Sequence, residues 1–154
     1  MTGLIRVLHI DDSDSDRALV RHALEVEGAG FEVDQADSWE EAEEKLSNSV
    51  YDIVVCDFNI LGFQGLDVIE MAREVSPDLP VIIVTGTDSE NVGAKALKRG
   101  AIDYVIKTPE HIRRLPLTIR LAIERNQLKL EYQKSQNLLA TSQIRYEALF
   151  NDSP

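Results

Sequence analysis

Five short apolar runs punctuate the chain as far as Ile106, separated by stretches that place their apolar residues on one helical face. The runs are Arg6–Ile10, Phe31–Ala36, the segment from Val50 to Asp57, Val81–Val84 behind Pro80, and Asp103–Ile106. Runs this short, rich in Val and Ile and bounded by turn residues, predict strands buried on both faces of a parallel sheet. Between them, Asp16–Glu27 carries Leu19, Val20, Ala23 and Leu24 on one face, with Asp14 or Ser15 as its cap and Gly28 and Gly30 as its stop. Ser38-Trp39-Glu40-Glu41 is a capping-box pattern opening a second helix that reaches about Asn48. A third helix is expected over Gly65–Val75; a fourth, of small and polar residues, runs to Arg99 and is closed by Gly100. Pro109 and Pro116 bracket the opening of the last helix and predict an irregular first turn.

Strands alternating with helices call for an α/β fold with a doubly wound (βα)5 parallel sheet, and right-handed crossovers make the flavodoxin-like order 2-1-3-4-5 the leading topology. That order puts the carboxyl ends of the first and third strands side by side. Asp11, Asp12 and Asp57 then meet at one rim, with Thr85 from the end of the fourth strand and Lys107 from the end of the fifth. Carboxylates so close repel one another unless a cation compensates, and hard oxygen ligands with room for water suit Mg²⁺. A metal beside an aspartate, flanked by a hydroxyl and an ammonium, can receive a phosphoryl group. Asp57 is the expected nucleophile, forming an acyl phosphate whose equatorial oxygens are shared among Mg²⁺, Thr85 and Lys107.

Composition and charge narrow the picture. A chain of 154 residues suits one domain with an appendage. Cys56, the sole cysteine, excludes an intramolecular disulfide, fits a reducing compartment and reads as inert core. The start lacks a secretory pattern and no run reaches membrane-spanning length, so the expectation is a cytoplasmic protein with no membrane partner. Residues 1–60 hold 15 acidic against 4 basic side chains, whereas the remainder balances 12 against 12. The whole net charge of -11 therefore sits in the first part, and no nucleic-acid partner is expected. Glu40, Glu41, Glu43 and Glu44 read as a solvated helix face, and Trp39 as packing the second helix or half exposed on it. His9, His22 and His111 have no liganding partner at metal spacing and receive no role.

The set of an acidic pair after strand one, an aspartate after strand three, Thr after strand four and Lys after strand five resembles the receiver domain of bacterial two-component response regulators, over about residues 4–125. The resemblance implies that Asp12 and Asp57 bind Mg²⁺ directly, with Mn²⁺ able to substitute. It implies the backbone carbonyl of Asn59 as a third ligand, and Asp11 acting through metal-bound water. Thr85 becomes the switch hydroxyl and Tyr104 the aromatic that turns inward with it, although Tyr104 reads equally well as a fixed packing residue. The implied phosphodonor is a histidine kinase or phosphotransfer protein, and the chain is an acceptor rather than an enzyme, though a full-length protein of this kind can be a histidine kinase. Two departures from the family pattern touch partner choice more than acceptor chemistry. Ile60-Leu61 stands where Met-Pro is common, with Gly65 in its usual place, and Thr108 intervenes between Lys107 and Pro109.

Past Pro116 there is no Pro or Gly before Pro154, and a 4-3 spacing runs through Leu121, Arg125, Leu128, Tyr132, Ser135, Leu139, Ser142, Tyr146 and Leu149. The expected divisions are a receiver domain over 1–125, a helical coiled-coil linker over 126–150, and the start of a further domain over 151–154. A single solvated helix is the plainer alternative for the linker. A homodimer is expected through this last helix and through the face made by helix four, strand five and helix five. RYEALFNDSP resembles the opening of a PAS sensory domain. Rival classes weigh less. The loop Asp12-Ser13-Asp14-Ser15-Asp16 lacks the Thr of an Asp-x-Asp-x-Thr phosphatase motif, and its acids would repel the phosphate of FMN. A phosphorylation-independent interaction module is the strongest alternative.

Overall fold

The structure, a computed structural model, describes residues 3–26, 30–60, 62–86 and 90–151, with the backbone alone at 90, 142 and 144–151. In chain order the elements are β1 (Ile5–Ile10), α1 (Asp14–Val26), β2 (Phe31–Ala36), α2 (Trp39–Asn48), β3 (Ile53–Asp57), the two-residue strands β4 (Asn59–Ile60) and β5 (Phe63–Gln64), α3 (Gly65–Val75), β6 (Val81–Thr85), α4 (Glu90–Arg99), β7 (Asp103–Ile106), α5 (Pro109–Arg113) and α6 (Leu115–Asn151). Five strands form one parallel sheet in the order β2-β1-β3-β6-β7. Counting the strands of that sheet alone, this is the expected 2-1-3-4-5.

Every residue of β3 and β6 is buried, which explains their unbroken apolar sequences. Alternate side chains feed two cores. Leu8, Ile10, Val54, Cys56, Val81 and Ile83 join α2 and α3 on one face, while Val7, Ile53, Val55, Ile82 and Val84 join α1 and α6 on the other. No cis peptide occurs among the described residues, Thr108-Pro109 included. Residues 1–123 and 124–154 form two compact units, and no described helix is long and apolar enough to cross a membrane.

Several local expectations are corrected. Helix α1 begins at Asp14, and its cap is Ser13 rather than Asp14 or Ser15. The Ser13 hydroxyl accepts from Asp16 N at 3.3 Å and its carbonyl from Arg17 N at 3.0 Å. Ser13 N in turn donates to Asp11 Oδ1 at 2.9 Å, so Asp11 itself helps fix where the helix starts. The stop expected at Gly28 lies outside the described residues. Ser38 does cap α2, accepting from Glu41 N at 3.2 Å, and Trp39 is half-buried, edge-on to Phe63 with ring centroids 5.1 Å apart.

The loop after β3 is more ordered than the sequence suggested. β4 and β5 pair antiparallel, Gly62 turns between them at φ 94°, and buried Ile60 pins the ribbon to the core. Leu61 lies outside the described residues. The irregular opening of the last helix takes the form of two helices. Thr108 caps α5 by accepting from His111 N at 3.2 Å, Pro109 fills its first turn, and Arg114 at φ -85°, ψ -2° separates it from α6. The Thr108 that interrupts the common Lys-Pro step is therefore a helix cap.

Candidate phosphoacceptor and metal site

At the carboxyl rim of the sheet, Asp11 follows β1, Asp57 ends β3, Thr85 ends β6 and Lys107 follows β7. Register brings them together: Asp57 pairs with Val84, and Lys107 N donates to Thr85 O at 2.7 Å. Asp11, Asp57 and Thr85 are buried, and Asp12 is half-buried. One oxygen from each of Asp11, Asp12 and Asp57 lies within 4.8 Å of the others. Opposite ligands of an octahedral Mg²⁺ stand about 4.2 Å apart, so three oxygens this close together could serve a small divalent ion. All-oxygen donors suit Mg²⁺ or Mn²⁺ rather than a softer metal.

Lys107 is the hub of the charged cluster. Its Nζ lies 3.0 Å from Asp11 Oδ2, 2.6 Å from Asp16 Oδ2 and 3.1 Å from Asp57 Oδ1. Burial works to lower the Lys107 pKa, but hydrogen bonds to Asp16 and Asp11 and the charge of Asp57 outweigh it and hold the ammonium above its ordinary range. Asp57 is pushed up to about 6, first by burial and then by the charges of Asp11 and Asp12, with Lys107 pulling the other way. Most Asp57 is therefore ionised at neutral pH.

Asp16 and Arg17 were not anticipated at this site. Asp16 bonds Lys107, and Arg17 Nη1 donates to the Asp11 carbonyl at 2.7 Å while its other nitrogen pairs with Asp14. Both lie in the first turn of a helix that leaves the same rim, and that position was the available signal. Asn59 sits in the ribbon with its side chain exposed. Tyr104 is half-buried on β7, and its ring lies so close to α4 that a Cβ at Gly93 would come within 2.5 Å of it. Cys56 is fully buried, and burial, then the charges of Asp57 and Asp11, raise its thiol pKa well above the usual range, as expected of inert core.

The raised Asp57 pKa has a consequence for stability. In the folded chain the carboxyl holds its proton to about pH 6, whereas unfolded it releases it near 3.8. Stability of the metal-free protein therefore falls as pH rises between these values. Asp57→Asn removes the penalty. It is expected to stabilise the metal-free chain by about 2 kcal/mol above pH 6 and by progressively less towards pH 4, as read by urea unfolding in EDTA across that range.

Comparison with known proteins adds an independent line. The family model described as response regulator receiver domain matches residues 7–120. The transcriptional regulatory protein ZraR of Klebsiella oxytoca is 32% identical over 124 residues, covering 80% of this chain and 27% of that protein. PhoP of Escherichia coli K12, also a transcriptional regulatory protein, is 33% identical over 124 residues, covering 79% of this chain and 53% of its own length. The chain thus spans between about a quarter and a half of these relatives. Among solved structures, the beryllofluoride-activated NtrC4 receiver domain dimer aligns at TM-score 0.70 and 34% identity over 79% of this chain and 98% of that one. NtrX from Brucella abortus aligns at 0.74 and 28% over 85% and 29%.

Proposed function

Since the chain belongs to the response regulator receiver domain family, we propose that Asp57 takes a phosphoryl group from a phosphohistidine of a histidine kinase or phosphotransfer protein in a Mg²⁺-dependent reaction. The observation that carries this reading is the convergence of Asp11, Asp12, Asp57 and Lys107 on one rim. Asp12 and Asp57 would hold the metal with the backbone carbonyl of Asn59, and Asp11 would act on it through water. An Asp57 carboxylate oxygen attacks phosphorus, the phosphorus–nitrogen bond breaks, and the departing imidazole takes a proton from solvent. When bound, Mg²⁺ neutralises charge on the phosphoryl oxygens. Lys107 leaves its carboxylates to meet the same oxygens, and the Thr85 hydroxyl donates to one of them. Incubation with acetyl phosphate is expected to give one adduct by intact mass in Mg²⁺ and none in EDTA; equal labelling in both would refute the metal requirement.

The output runs through Thr85 and Tyr104 to the face of α4, β7 and the start of α6. The contact of the Tyr104 ring with the α4 backbone at Gly93 supports this route, since inward rotation frees α4. α6 runs unbroken from Leu115 to Asn151 and leaves Leu128, Tyr132, Leu138 and Leu139 exposed, which supports a coiled-coil linker and a homodimer. The NtrC4 neighbour is itself a dimer. Sedimentation of chains ending at Arg125 and Pro154 is expected to give a monomer and a dimer, and equal monomeric mass would refute the coiled coil. In this reading the domain is cytoplasmic, acts as an acceptor rather than a turnover enzyme, and with its acidic first 60 residues avoids nucleic acid itself. The output of a longer protein is either a PAS-type sensor, as RYEALFNDSP suggests, or transcriptional regulation, as the relatives' names suggest.

A further inference from the structure

His9 lies on β1 two residues before Asp11, on the same face of the strand, and is fully buried. Neither of its ring nitrogens has a hydrogen-bond partner among the described residues. A neutral imidazole must carry one N–H, and a buried donor left unmade is disfavoured unless another state of the protein uses it. Nε2 stands 3.8 Å from Asp11 Oδ2, about 1 Å beyond a good hydrogen bond. That same oxygen now accepts from Lys107 at 3.0 Å, and Oδ1 is occupied by Ser13 N at 2.9 Å. A charged ring at so buried a position would be costly, so His9 enters as a neutral donor that brings a dipole without competing charge.

We propose that His9 is a positioning residue that takes over Asp11: when Lys107 turns to the phosphoryl group on Asp57, the His9 Nε2–H closes onto the vacated Asp11 Oδ2 and keeps that carboxylate aimed at the site. The inference rests on the phosphoacceptor reading. It gives a use to a buried donor that has no partner among the described residues. It also gives the Oδ2 of a fully buried carboxylate a donor once its ammonium has gone, while Ser13 N keeps Oδ1.

Two measurements on the full chain test it. With ¹⁵N-labelled histidine, beryllofluoride plus Mg²⁺ as the stand-in for aspartyl phosphate is expected to move the His9 Nε2–H proton downfield and slow its exchange, leaving Nδ1 unprotonated. Unchanged His9 signals at saturation would overturn the proposal. The spectra use the unaltered chain and so decide the matter whatever a substitution does to folding. With acetyl phosphate and Mg²⁺, His9→Leu is expected to load about tenfold more slowly, with a urea midpoint no lower than the original because an idle imidazole has been removed. His9→Gln, whose amide nitrogen takes the place of Nε2, restores the rate. Equal loading by His9→Leu and the original chain overturns this inference alone; an original chain that never loads overturns the phosphoacceptor reading with it.

Discussion

Lys107→Met is expected to weaken the fold, slow phosphoryl uptake and tighten Mg²⁺ binding, all at once. In the metal-free chain Nζ compensates Asp11, Asp16 and Asp57 from within 3.1 Å of each. Removing it leaves a fully buried Asp11 beside two further carboxylates, and deleting one partner of a buried ion pair costs about 3 kcal/mol or more. Uptake falls by roughly 10²- to 10³-fold, because a fixed positive donor for the transferring oxygens is lost. Metal binding moves the other way, since a divalent cation no longer competes with an ammonium for the same oxygens, and about tenfold tighter binding is expected. Saturating Mg²⁺ should accordingly restore more stability to the variant than it adds to the original chain. Calorimetric titration with Mg²⁺ beside urea unfolding separates these effects; weaker metal binding by the variant would show that Lys107 does not guard the site.

Gly65→Ala is expected to be the most damaging single-methyl change near the site. A Cβ there would sit 2.0 Å from the Asp57 carbonyl oxygen and 2.9 Å from its carbon, and both are backbone atoms that no rotamer change can move. Gly65 N also donates to Phe58 O at 2.8 Å, which holds the start of α3 against the end of β3. Alanine's better helix propensity returns at most about 1 kcal/mol, whereas a clash of this depth costs about 3 kcal/mol or more and displaces Asp57. Gly86→Ala is the control. It follows Thr85 at the same rim, yet its added Cβ meets nothing within 4 Å among the described residues, so stability should change by less than about 0.5 kcal/mol. Urea midpoints for the two variants test the contrast, and equal midpoints would contradict it.

Why some of this was legible in the sequence and some was not follows from where each signal resides. The strands are plain because β3 and β6 are buried on both faces, which leaves no polar position to blur the pattern before Asp57 and Thr85 at their ends. Asp11, Asp12, Asp57, Thr85 and Lys107 were recoverable because each stands at a strand end, so that topology alone gathers them. The cap of α1 was misassigned because Ser13, Asp14 and Ser15 all have capping chemistry, and the choice is made by the bond from Ser13 N to Asp11. Asp16 and His9 were missed for a related reason. The bond from Lys107 to Asp16 spans 91 residues, and His9 gains its meaning only from the 3.8 Å gap to a neighbouring carboxylate. The β4–β5 ribbon is two residues a side, too short to leave a period. Gly93 reads in the sequence as one more small residue in a polar helix, because only the fold brings the Tyr104 ring against its backbone.

Phosphorylation is expected at the Asp57 side chain and at no other. Its direct measurement is to load the full chain with acetyl phosphate in Mg²⁺, reduce with borohydride, and sequence the peptides by mass spectrometry. An aspartyl phosphate is converted to homoserine, which marks its position. Homoserine at position 57, absent when Mg²⁺ is withheld, is the predicted result; homoserine at Asp11, Asp12 or elsewhere with position 57 unchanged, or none at all, would contradict it.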